Sequence, residues 1–573
     1  MSVMELFELW SEKATSDADI QNELSSIKDS EEAVKDRFYR DLEFGTGGMR
    51  GVIGAGTNRM NVYTVRRATQ GLANYVLDEA ETPSVAIAYD SRNKSTLFAE
   101  TAAAVLAANG VKVYIYSELM PTPMLSFAVR ELKCTAGIVI TASHNPAEYN
   151  GYKVYGNDGC QMTAEAAETV IGKIDELDMF EGVELNKSAF DGFISSGKIE
   201  FISQEVIEKY YDTVLAEGIN SSLCADSGLR VVYTPLNGAG NKPVRTILSR
   251  LGISDVTVVA SQENPDGNFT TCPYPNPEIR EALAEGLKVC NEVKPDLLLA
   301  TDPDCDRMGI AVPSEDGYVL FSGNEVGAML LEYICSQRTA KNTMPEKPIT
   351  VKTIVSTDIV NAIAKEYNVE VIDVLTGFKY IGEQIGLLEK INEEKRYIFG
   401  FEESYGYLSG GYVRDKDAVN ASMLICEMAA YYRTKGVSLI KARDDMYNKY
   451  GVYHNEVQNF TFKGQAGAEK MVQIMASLRN NPPSEVAGMK VTRIDDYKTS
   501  VSKNTLTGEE KVLTLPSSNV LVFVLENGAK AIIRPSGTEP KIKAYYTTKA
   551  PTHEEASELD KKLTDGFSAL FLN

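Results

Sequence analysis

The sequence predicts an α/β fold with three similar α/β domains, each on a mostly parallel mixed sheet, followed by a smaller C-terminal α+β domain. Three observations lead to this prediction. The chain has 573 residues, which at typical domain sizes corresponds to several domains. Short apolar, β-branched runs alternate with helical patterns over much of its length, as in βα units. Three of these runs end in clusters of polar residues, where open α/β sheets commonly bind ligands.

The first 40 residues are predicted to be helical. Leu6, Leu9 and Trp10 recur at a helical period. The glycine-rich run that follows, residues 43–51, is expected to be a loop, because glycine clusters interrupt helices and strands.

Eight apolar runs between this loop and residue 375 are predicted to be strands of parallel-sheet units. They are Val85–Tyr89, Val111–Tyr116, Gly137–Thr141, Arg230–Tyr233, Val256–Ala260, Leu297–Ala300, Ile349–Val355 and Val369–Val374.

The C-terminal part has a different pattern. Val520–Leu525, an Asn527-Gly528 turn, Ala531–Ile533 and Lys541–Thr547 indicate antiparallel strands, and a helix is expected from about Glu554. We therefore expect an N-terminal extension over 1–40 and domains over 41–205, 206–322, 323–455 and 456–573.

Composition excludes several classes of protein. Hydrophobic residues make up 43% of the chain, which excludes global disorder. A net charge of −22 disfavours binding to nucleic acid or anionic membranes. The eight cysteines lack CxxC spacing, so neither a zinc site nor a disulfide framework is indicated. No signal peptide or membrane-spanning run is apparent, and we expect a cytoplasmic protein.

Three aspartates, Asp302, Asp304 and Asp306, directly follow an apolar strand. Alternate carboxylates on a loop can converge on a hard cation, and an oxygen-only ligand set favours magnesium. An EF-hand is excluded, because its glycine and final glutamate positions fall on Arg307 and Pro313. A solvated acidic turn is the alternative.

Ser143 and His144 place a hydroxyl and an imidazole side by side at the end of the strand Gly137–Thr141, with Lys153 shortly after. A turn or helix N-cap would also explain a serine here. A GxSxG nucleophile elbow is absent, which disfavours an esterase.

The run from Arg534 to Thr538 offers a guanidinium, two hydroxyls, on Ser536 and Thr538, and backbone amides opened by Gly537. This composition suits a phosphate dianion, although a plain β-turn would also explain it. The chain has no GxxxxGK[ST] motif, and Arg50 stands where GxGxxG requires its third glycine, which disfavours nucleotide binding.

Glu402 and Ser404 lie two residues apart in a segment predicted to be extended, so both would face the same side and could bind sugar hydroxyls. A structural carboxylate is the alternative. The run 414–417 is an ordinary charged surface turn unless the fold directs Lys416 inward.

Four motifs, TASHNP at 141–146, DPDCDR at 302–307, GFEES at 400–404 and RPSGTEP at 534–540, occur in an order and spacing that resemble the α-D-phosphohexomutases. Within that family the chain is similar to the phosphoglucomutase and phosphopentomutase branch. The resemblance extends over nearly the whole chain and implies four domains around a central cleft, each contributing one loop.

The resemblance also implies residue roles. Ser143 would carry the phosphoryl group, and Asp302, Asp304 and Asp306 would bind Mg²⁺ together with Ser143. Sugar hydroxyls would be held by Glu402 and Ser404, and the non-transferred phosphate by Arg534, Ser536, Gly537 and Thr538. Further cleft residues would be Thr46, Arg50, His144, Lys153, Arg307, Gly377, Lys416 and Lys543, the last standing where an arginine is usual.

The implied activity is that of a phosphosugar mutase that interconverts glucose 1-phosphate and glucose 6-phosphate. Its substrates are small sugar phosphates, and a sugar 1,6-bisphosphate is both intermediate and activator. Lys153 and His144 are candidate general bases. Mannose or pentose phosphates are alternative substrates, while a phosphatase and a non-catalytic phosphosugar-binding protein are alternative functions.

Overall fold

A computed structural model describes residues 1–45, 47–181, 187–462, 464–536 and 541–572. The chain forms two compact units. The first unit comprises Met1–Gly323 and Ile381–Val437, and the second comprises Asn324–Tyr380 and Ser438–Asn573. Each unit contains apolar cores of its own.

The helices of the described residues are, in chain order, α1 (Val3–Lys13), α2 (Ala18–Ile27), α3 (Glu31–Phe38), α4 (Val62–Glu79), α5 (Ser95–Ala108), α6 (Thr122–Glu131), α7 (Ala164–Asp175), α8 (Lys187–Ser195), α9 (Gln204–Ala216), α10 (Asn241–Arg250), α11 (Ala260–Glu263), α12 (Ala284–Val293), α13 (Gly323–Ala340), α14 (Ile359–Glu366), α15 (Phe378–Lys390), α16 (Ala418–Thr434), α17 (Leu439–Tyr450), α18 (Gly464–Asn480) and α19 (His553–Leu572).

The strands are β1 (Gly48–Val52), β2 (Ser84–Tyr89), β3 (Lys112–Ile115), β4 (Ala136–Ile140), β5 (Tyr149–Gly156), β6 (Ile199–Phe201), β7 (Arg230–Thr234), β8 (Asp255–Val258), β9 (Leu297–Thr301), β10 (Met308–Ser314), β11 (Gly317–Phe321), β12 (Ile349–Thr353), β13 (Glu370–Val374), β14 (Tyr397–Glu402), β15 (Gly406–Leu408), β16 (Val452–Thr461), β17 (Glu485–Val486), β18 (Met489–Asp496), β19 (Val501–Asn504), β20 (Glu510–Val512), β21 (Leu521–Leu525), β22 (Lys530–Pro535) and β23 (Lys541–Ala550).

The first unit contains two mixed sheets. In one, with strand order β1-β5-β4-β2-β3-β6, β2 is parallel to β3 and β4, whereas β5 is antiparallel to β1 and β4. In the other, with order β11-β10-β9-β7-β8, β7 is parallel to β8 and β9, and β10 is antiparallel to β9. Every residue of β4 and β9 is buried, as expected for strands covered on both faces. The hairpin of β14 and β15 also belongs to this unit.

The second unit contains the parallel pair β12 and β13 and an antiparallel sheet with order β16-β23-β22-β21-β18-β19-β20. Helices α18 and α19 contribute Met475, Leu478 and Phe567 to the apolar core of that sheet. The predicted C-terminal strands and helix are therefore confirmed.

The helical N-terminus is also confirmed. Trp10 is fully buried and packs edge-on against Phe38, Tyr63 and Phe180, so α1 and α3 share a core with the start of α4. Among the described residues, no helix combines the length and apolar character needed to cross a bilayer.

One expectation about the sheets was wrong. Residues 48–51 are not loop but part of β1, which pairs with β5. Gly48 has φ 115°, and a Cβ there would lie 1.8 Å from the carbonyl oxygen of Tyr152, so glycine is what allows the two strands to approach. The predicted mixed sheets are confirmed, but antiparallel strands such as β5 and β10 were not among the predicted strands, because their glycines and polar residues resemble loops.

Candidate active site

Ser143 lies in the turn that follows β4 and is 4% exposed. Its φ is 54°, in the left-handed region, and its amide donates to Thr141 Oγ1 at 2.8 Å. Ser143 Oγ donates to Asp302 Oδ2 at 2.9 Å and lies 3.2 Å from His144 Nδ1. Adjacent side chains diverge on a strand, but these two converge because the turn begins before them.

Asp302, Asp304 and Asp306 form a buried cluster on the loop between β9 and β10. Each is at most 1% exposed, and one oxygen from each lies within 4.8 Å of the others. Asp304 Oδ1 and Asp306 Oδ1 are buried and accept no hydrogen bond within the described part of the chain. Buried carboxylate oxygens without donors are strongly unfavourable, and a hard cation satisfies them. The donor set therefore fits Mg²⁺, and the solvated-turn alternative is wrong.

The pKa values of the three carboxyl groups reflect this crowding. Burial, then the charges of Asp304 and Asp306, raises the pKa of Asp302 well above its ordinary value. Burial and Asp304 likewise raise the pKa of Asp306. For Asp304, burial acts upward, but the charge of Lys153, the hydrogen bonds from Lys153 and Asp302 and the charge of Lys416 together hold the pKa below its ordinary value. Burial and the crowding of like charges therefore both act against the ionised forms of Asp302 and Asp306.

Two lysines flank the cluster. Lys153 Nζ, carried by β5, donates to Asp304 Oδ2 at 2.9 Å. Lys416 Nζ lies 3.1 Å from Asp306 Oδ2 and 2.9 Å from Asp415 Oδ1. Burial opposes the charged form of Lys153, but Asp304 and Asp306 raise its pKa, so the ammonium is retained. Cationic groups beside a carboxylate cluster suit the binding of a phosphoryl group.

The run 414–417 is buried rather than on the surface, so the surface-turn alternative is wrong. Arg414 pairs with Glu389 at 2.7 Å, and Asp415 accepts from Tyr155 at 2.7 Å. Asp417 caps α16 through the amides of residues 419 and 420. Lys416, between them, is directed into the aspartate cluster.

Arg307 ends the aspartate loop and donates to Glu278 Oε1 at 2.7 Å. Glu402, at the end of β14 and 5% exposed, lies close enough that its charge raises the pKa of Lys416, after Asp306 and Asp415. A turn follows Glu402, so the prediction of an extended segment from Glu402 to Ser404 is wrong. The turn is joined to the aspartate loop by the Met308 amide, which donates to the Tyr405 carbonyl at 3.0 Å.

Arg50 lies on β1, opposite Gly151 of β5. Its Nη1 reaches Asn145 Oδ1, in the Ser143 turn, at 3.5 Å. Burial, followed by the charges of Arg307 and Arg50, holds the pKa of His144 well below its ordinary value, so the imidazole is neutral.

The remaining predicted site residues belong to the second unit or lie outside the described residues. Gly377, with φ 127°, directly precedes α15 in the second unit. In the same unit, Arg534 on β22 lies opposite Lys543 on β23, and the Ser536 amide donates to the Lys541 carbonyl at 2.8 Å. Thr46, Gly537 and Thr538 lie outside the described residues.

Sequence reasoning missed Arg92, which is 3% exposed and donates to main-chain carbonyls of the Ser143 turn. It also missed Thr122, whose Oγ1 donates to Asp304 Oδ2 at 3.1 Å. The run Asp90-Ser91-Arg92 directly follows β2, and a polar cluster at a strand end was the signal that identified the other loops.

Three family models match the chain. They are described as Phosphoglucomutase/phosphomannomutase, alpha/beta/alpha domain I, over residues 41–180, domain II over 208–316 and domain III over 322–450.

Individual relatives are consistent with these matches. A phosphoglucomutase of Staphylococcus saprophyticus is 36% identical over 545 residues, which cover 95% of this chain and 96% of the relative. A putative phosphomannomutase of Thermus thermophilus aligns with a TM-score of 0.68 at 22% identity, covering 93% of this chain and 100% of that one. The open form of Paramecium parafusin, a phosphoglucomutase, has the same TM-score at 16% identity and covers 93% of this chain and 96% of its own. These two structures share the fold.

Proposed function

The chain belongs to the α-D-phosphohexomutase family, and we propose that it is a phosphoglucomutase that interconverts glucose 1-phosphate and glucose 6-phosphate. One observation carries the proposal: the Ser143 hydroxyl lies 2.9 Å from a carboxylate of a buried three-aspartate cluster, and Lys153 and Lys416 pair with the same cluster. A hydroxyl beside a cation site and basic groups is what a phosphoryl carrier requires.

The proposed cycle has two phosphoryl transfers. Phospho-Ser143 gives its phosphoryl group to the free hydroxyl of a sugar monophosphate: the bond from phosphorus to Oγ breaks and a bond to the sugar oxygen forms. The sugar hydroxyl proton passes to a base, and the released Oγ takes up a proton, so that Ser143 again carries a hydroxyl. The product is a sugar 1,6-bisphosphate, which turns around in the site. The reverse transfer from its other phosphate restores phospho-Ser143 and returns one proton to the sugar oxygen that is left.

The residues that would hold Mg²⁺ are Asp302, Asp304, Asp306 and Ser143. When bound, the ion supplies positive charge that offsets the charge of the transferred phosphoryl group. Two lysines of this chain would support the same step. Lys153 and Lys416, both ion-paired with the cluster, are placed to stabilise phosphoryl oxygens.

His144 is the better placed of the two candidate bases. Its Nδ1 lies 3.2 Å from Ser143 Oγ, within reach of the proton that must leave when Ser143 is phosphorylated. Lys153 Nζ instead donates to Asp304, which favours a role in neutralising charge. We therefore assign proton exchange at Ser143 to His144.

Substrate contacts are proposed from the family motifs. Sugar hydroxyls would be bound by Glu402 and Ser404, and the non-transferred phosphate by the loop that begins at Arg534. The other proposed contacts are Thr46, Arg50, Arg307, Gly377, Ser536, Gly537, Thr538 and Lys543. The enzyme would work in the cytoplasm with a sugar 1,6-bisphosphate as activator.

The test is a coupled assay of glucose 6-phosphate formation from glucose 1-phosphate with Mg²⁺ and a trace of glucose 1,6-bisphosphate. Incubation with labelled bisphosphate, followed by peptide mapping, should place the label on Ser143. Absence of both turnover and label would support a non-catalytic binding protein. Release of free phosphate in excess of isomerised product would support a phosphatase. A panel of glucose, mannose and pentose 1-phosphates compared by kcat/KM tests the substrate, and we expect glucose to rank first.

A further inference from the structure

Arg92 lies beneath the Ser143 turn and binds it through main-chain carbonyls. Nη1 donates to the carbonyls of Pro146 at 2.9 Å and Tyr149 at 3.1 Å. Nη2 donates to the carbonyls of Ser143 and Asn145. One guanidinium thus holds carbonyls spread over residues 143–149, which include the residue proposed to carry the phosphoryl group.

The guanidinium is itself fixed in place. Arg92 is 3% exposed, its Nε lies 3.4 Å from Asp90 Oδ2, and the guanidinium carbon lies 5.0 Å from the ring centre of Phe269. Asp90 is in turn fixed, because its Oδ1 accepts from the Ser95 hydroxyl at 2.8 Å and from the Arg92 amide at 3.0 Å. A buried planar group between a carboxylate and an aromatic ring has little freedom to move with the turn, so we expect the turn to conform to it.

We propose that Arg92 is a positioning residue for phosphoryl transfer: it holds the turn in the conformation in which Ser143, at φ 54°, directs its Oγ at Asp302. This inference rests on the proposed function. A non-glycine residue in the left-handed region is unfavourable, and the carbonyls bound by Arg92 offset that cost. Their oxygens accept from a cationic group, which offsets their partial negative charge near Ser143.

Replacing Arg92 with lysine distinguishes positioning of the Ser143 turn from an effect of positive charge alone. Arg92→Lys keeps a positive charge, but one ammonium cannot donate in plane to carbonyls spread over seven residues. We expect kcat to fall about 100-fold, the scale of an ångström misplacement at a reacting group. KM for glucose 1-phosphate should change less than about 3-fold, since Arg92 binds no part of the substrate.

The matched control is Arg59→Lys. Arg59 is also buried, at 7% exposure, donates to the Asn58 carbonyl at 2.9 Å and pairs with Asp36, but it serves the turn before α4. It should lose thermal stability and keep the wild-type kcat per folded molecule.

Three measurements decide the matter. Labelling of Ser143 by glucose 1,6-bisphosphate should slow in Arg92→Lys by the same factor as kcat, and ethylguanidinium should partly restore the activity of Arg92→Ala. If Arg92→Lys does not fold, Asp90→Asn, which removes the partner of the guanidinium, should give a smaller loss of kcat with unchanged KM. A wild-type kcat in both variants, or a loss matched by the fraction unfolded, overturns the inference. A wild type that takes up no label overturns the proposed function instead.

Discussion

The Ser143–Asp302 pair of the first unit and the Ser502–Asp495 pair of the second contain the same hydrogen bond, from a serine hydroxyl to an aspartate. Ser502 and Asp495 lie opposite each other on the neighbouring strands β19 and β18, seven residues apart. Ser143 and Asp302 are 159 residues apart and meet at the ends of strands in two different sheets.

The charge around the two pairs also differs. Asp495 has a cation beside it, Arg493, whose Nε lies 3.1 Å from Oδ1. Asp302 has two further carboxylates beside it, and after burial their charges raise its pKa, which the charge of Arg307 offsets only in part. The first pair thus has its own cation on the same sheet, whereas the second belongs to a cluster in which Asp304 Oδ1 and Asp306 Oδ1 accept no hydrogen bond from the described residues. This difference is what the proposed function requires of a serine that carries a phosphoryl group and of one that only supports the fold.

Replacing each serine gives the largest expected contrast. Ser143→Ala removes the proposed carrier, so mutase activity should fall about 10⁴-fold or more, as when a covalent nucleophile is deleted, and no label should enter from bisphosphate. Ser502→Ala should keep kcat and lose about 1 kcal/mol of stability, because only a hydrogen bond is lost. Near-normal turnover by Ser143→Ala would remove the distinction between the pairs.

Replacing an aspartate in each region is the next test. Asp304→Asn should weaken Mg²⁺ binding, measured calorimetrically, by at least about 10-fold, since even outer-sphere changes have effects of that size. It should also depress turnover and leave the fold intact, because removing one of three crowded carboxylates lowers the repulsion among like charges. Asp495→Asn should do the reverse, lowering the melting temperature without altering the Mg²⁺ dependence. Unchanged Mg²⁺ affinity in Asp304→Asn would contradict the metal assignment.

Arginines on the antiparallel sheet allow a test within the second unit. Arg534→Ala should raise KM for glucose 1-phosphate about 10- to 100-fold, because a charge-assisted contact to a phosphate contributes about 1.5–3 kcal/mol. Some loss of kcat should accompany it, because remote binding positions the reacting hydroxyl. Arg493→Ala, a change of the same size on β18, should leave both constants unchanged. A wild-type KM in Arg534→Ala would exclude it from phosphate binding.

The smallest effect is expected at His454, on β16, which pairs with Asp560 of α19 at 3.1 Å. The hydrogen bond to Asp560 raises the pKa of His454, against burial, and Glu456 and Glu325 act in the same direction. The pair therefore stabilises the fold at pH values below the unfolded pKa, and this stability disappears as pH rises through the folded pKa. His454→Asn should lower the free energy of unfolding by about 0.5 kcal/mol at pH 5.5 and leave it unchanged at pH 8.5. Hydrogen exchange of the β16 amides measures this difference. Equal costs at both pH values would show that charge is not involved.

Much of the architecture could be predicted because buried strands appear in the sequence as runs of apolar residues. The fully buried strands β4 and β9, apolar except for Thr301 at the end of β9, could be predicted from their runs of apolar residues, and so could the polar loops that follow them. The antiparallel partners could not, since β5 and β10 contain glycine, proline or charged residues that are acceptable only beside a particular neighbour.

The aspartate cluster could be predicted because Asp302, Asp304 and Asp306 lie on one loop. The contacts of Arg92 and Arg414 could not, because their partners lie far away along the chain. Arg92 donates to carbonyls more than 50 residues away in the sequence, and Arg414 donates to Glu389, 25 residues earlier. The residues next to Arg92 and Arg414 in the sequence do not indicate such distant partners.

The left-handed backbone of Ser143 also restricts which residue can occupy this position over evolution. Serine and threonine codons differ by a single base, and both side chains offer a hydroxyl that can accept a phosphoryl group. Threonine, however, is β-branched, and branched residues are genuine outliers at positive φ. A Ser143→Thr change would keep the reactive atom and lose the backbone that directs it. Selection against threonine at this position would thus come from the shape of the main chain, with hydroxyl reactivity playing no part.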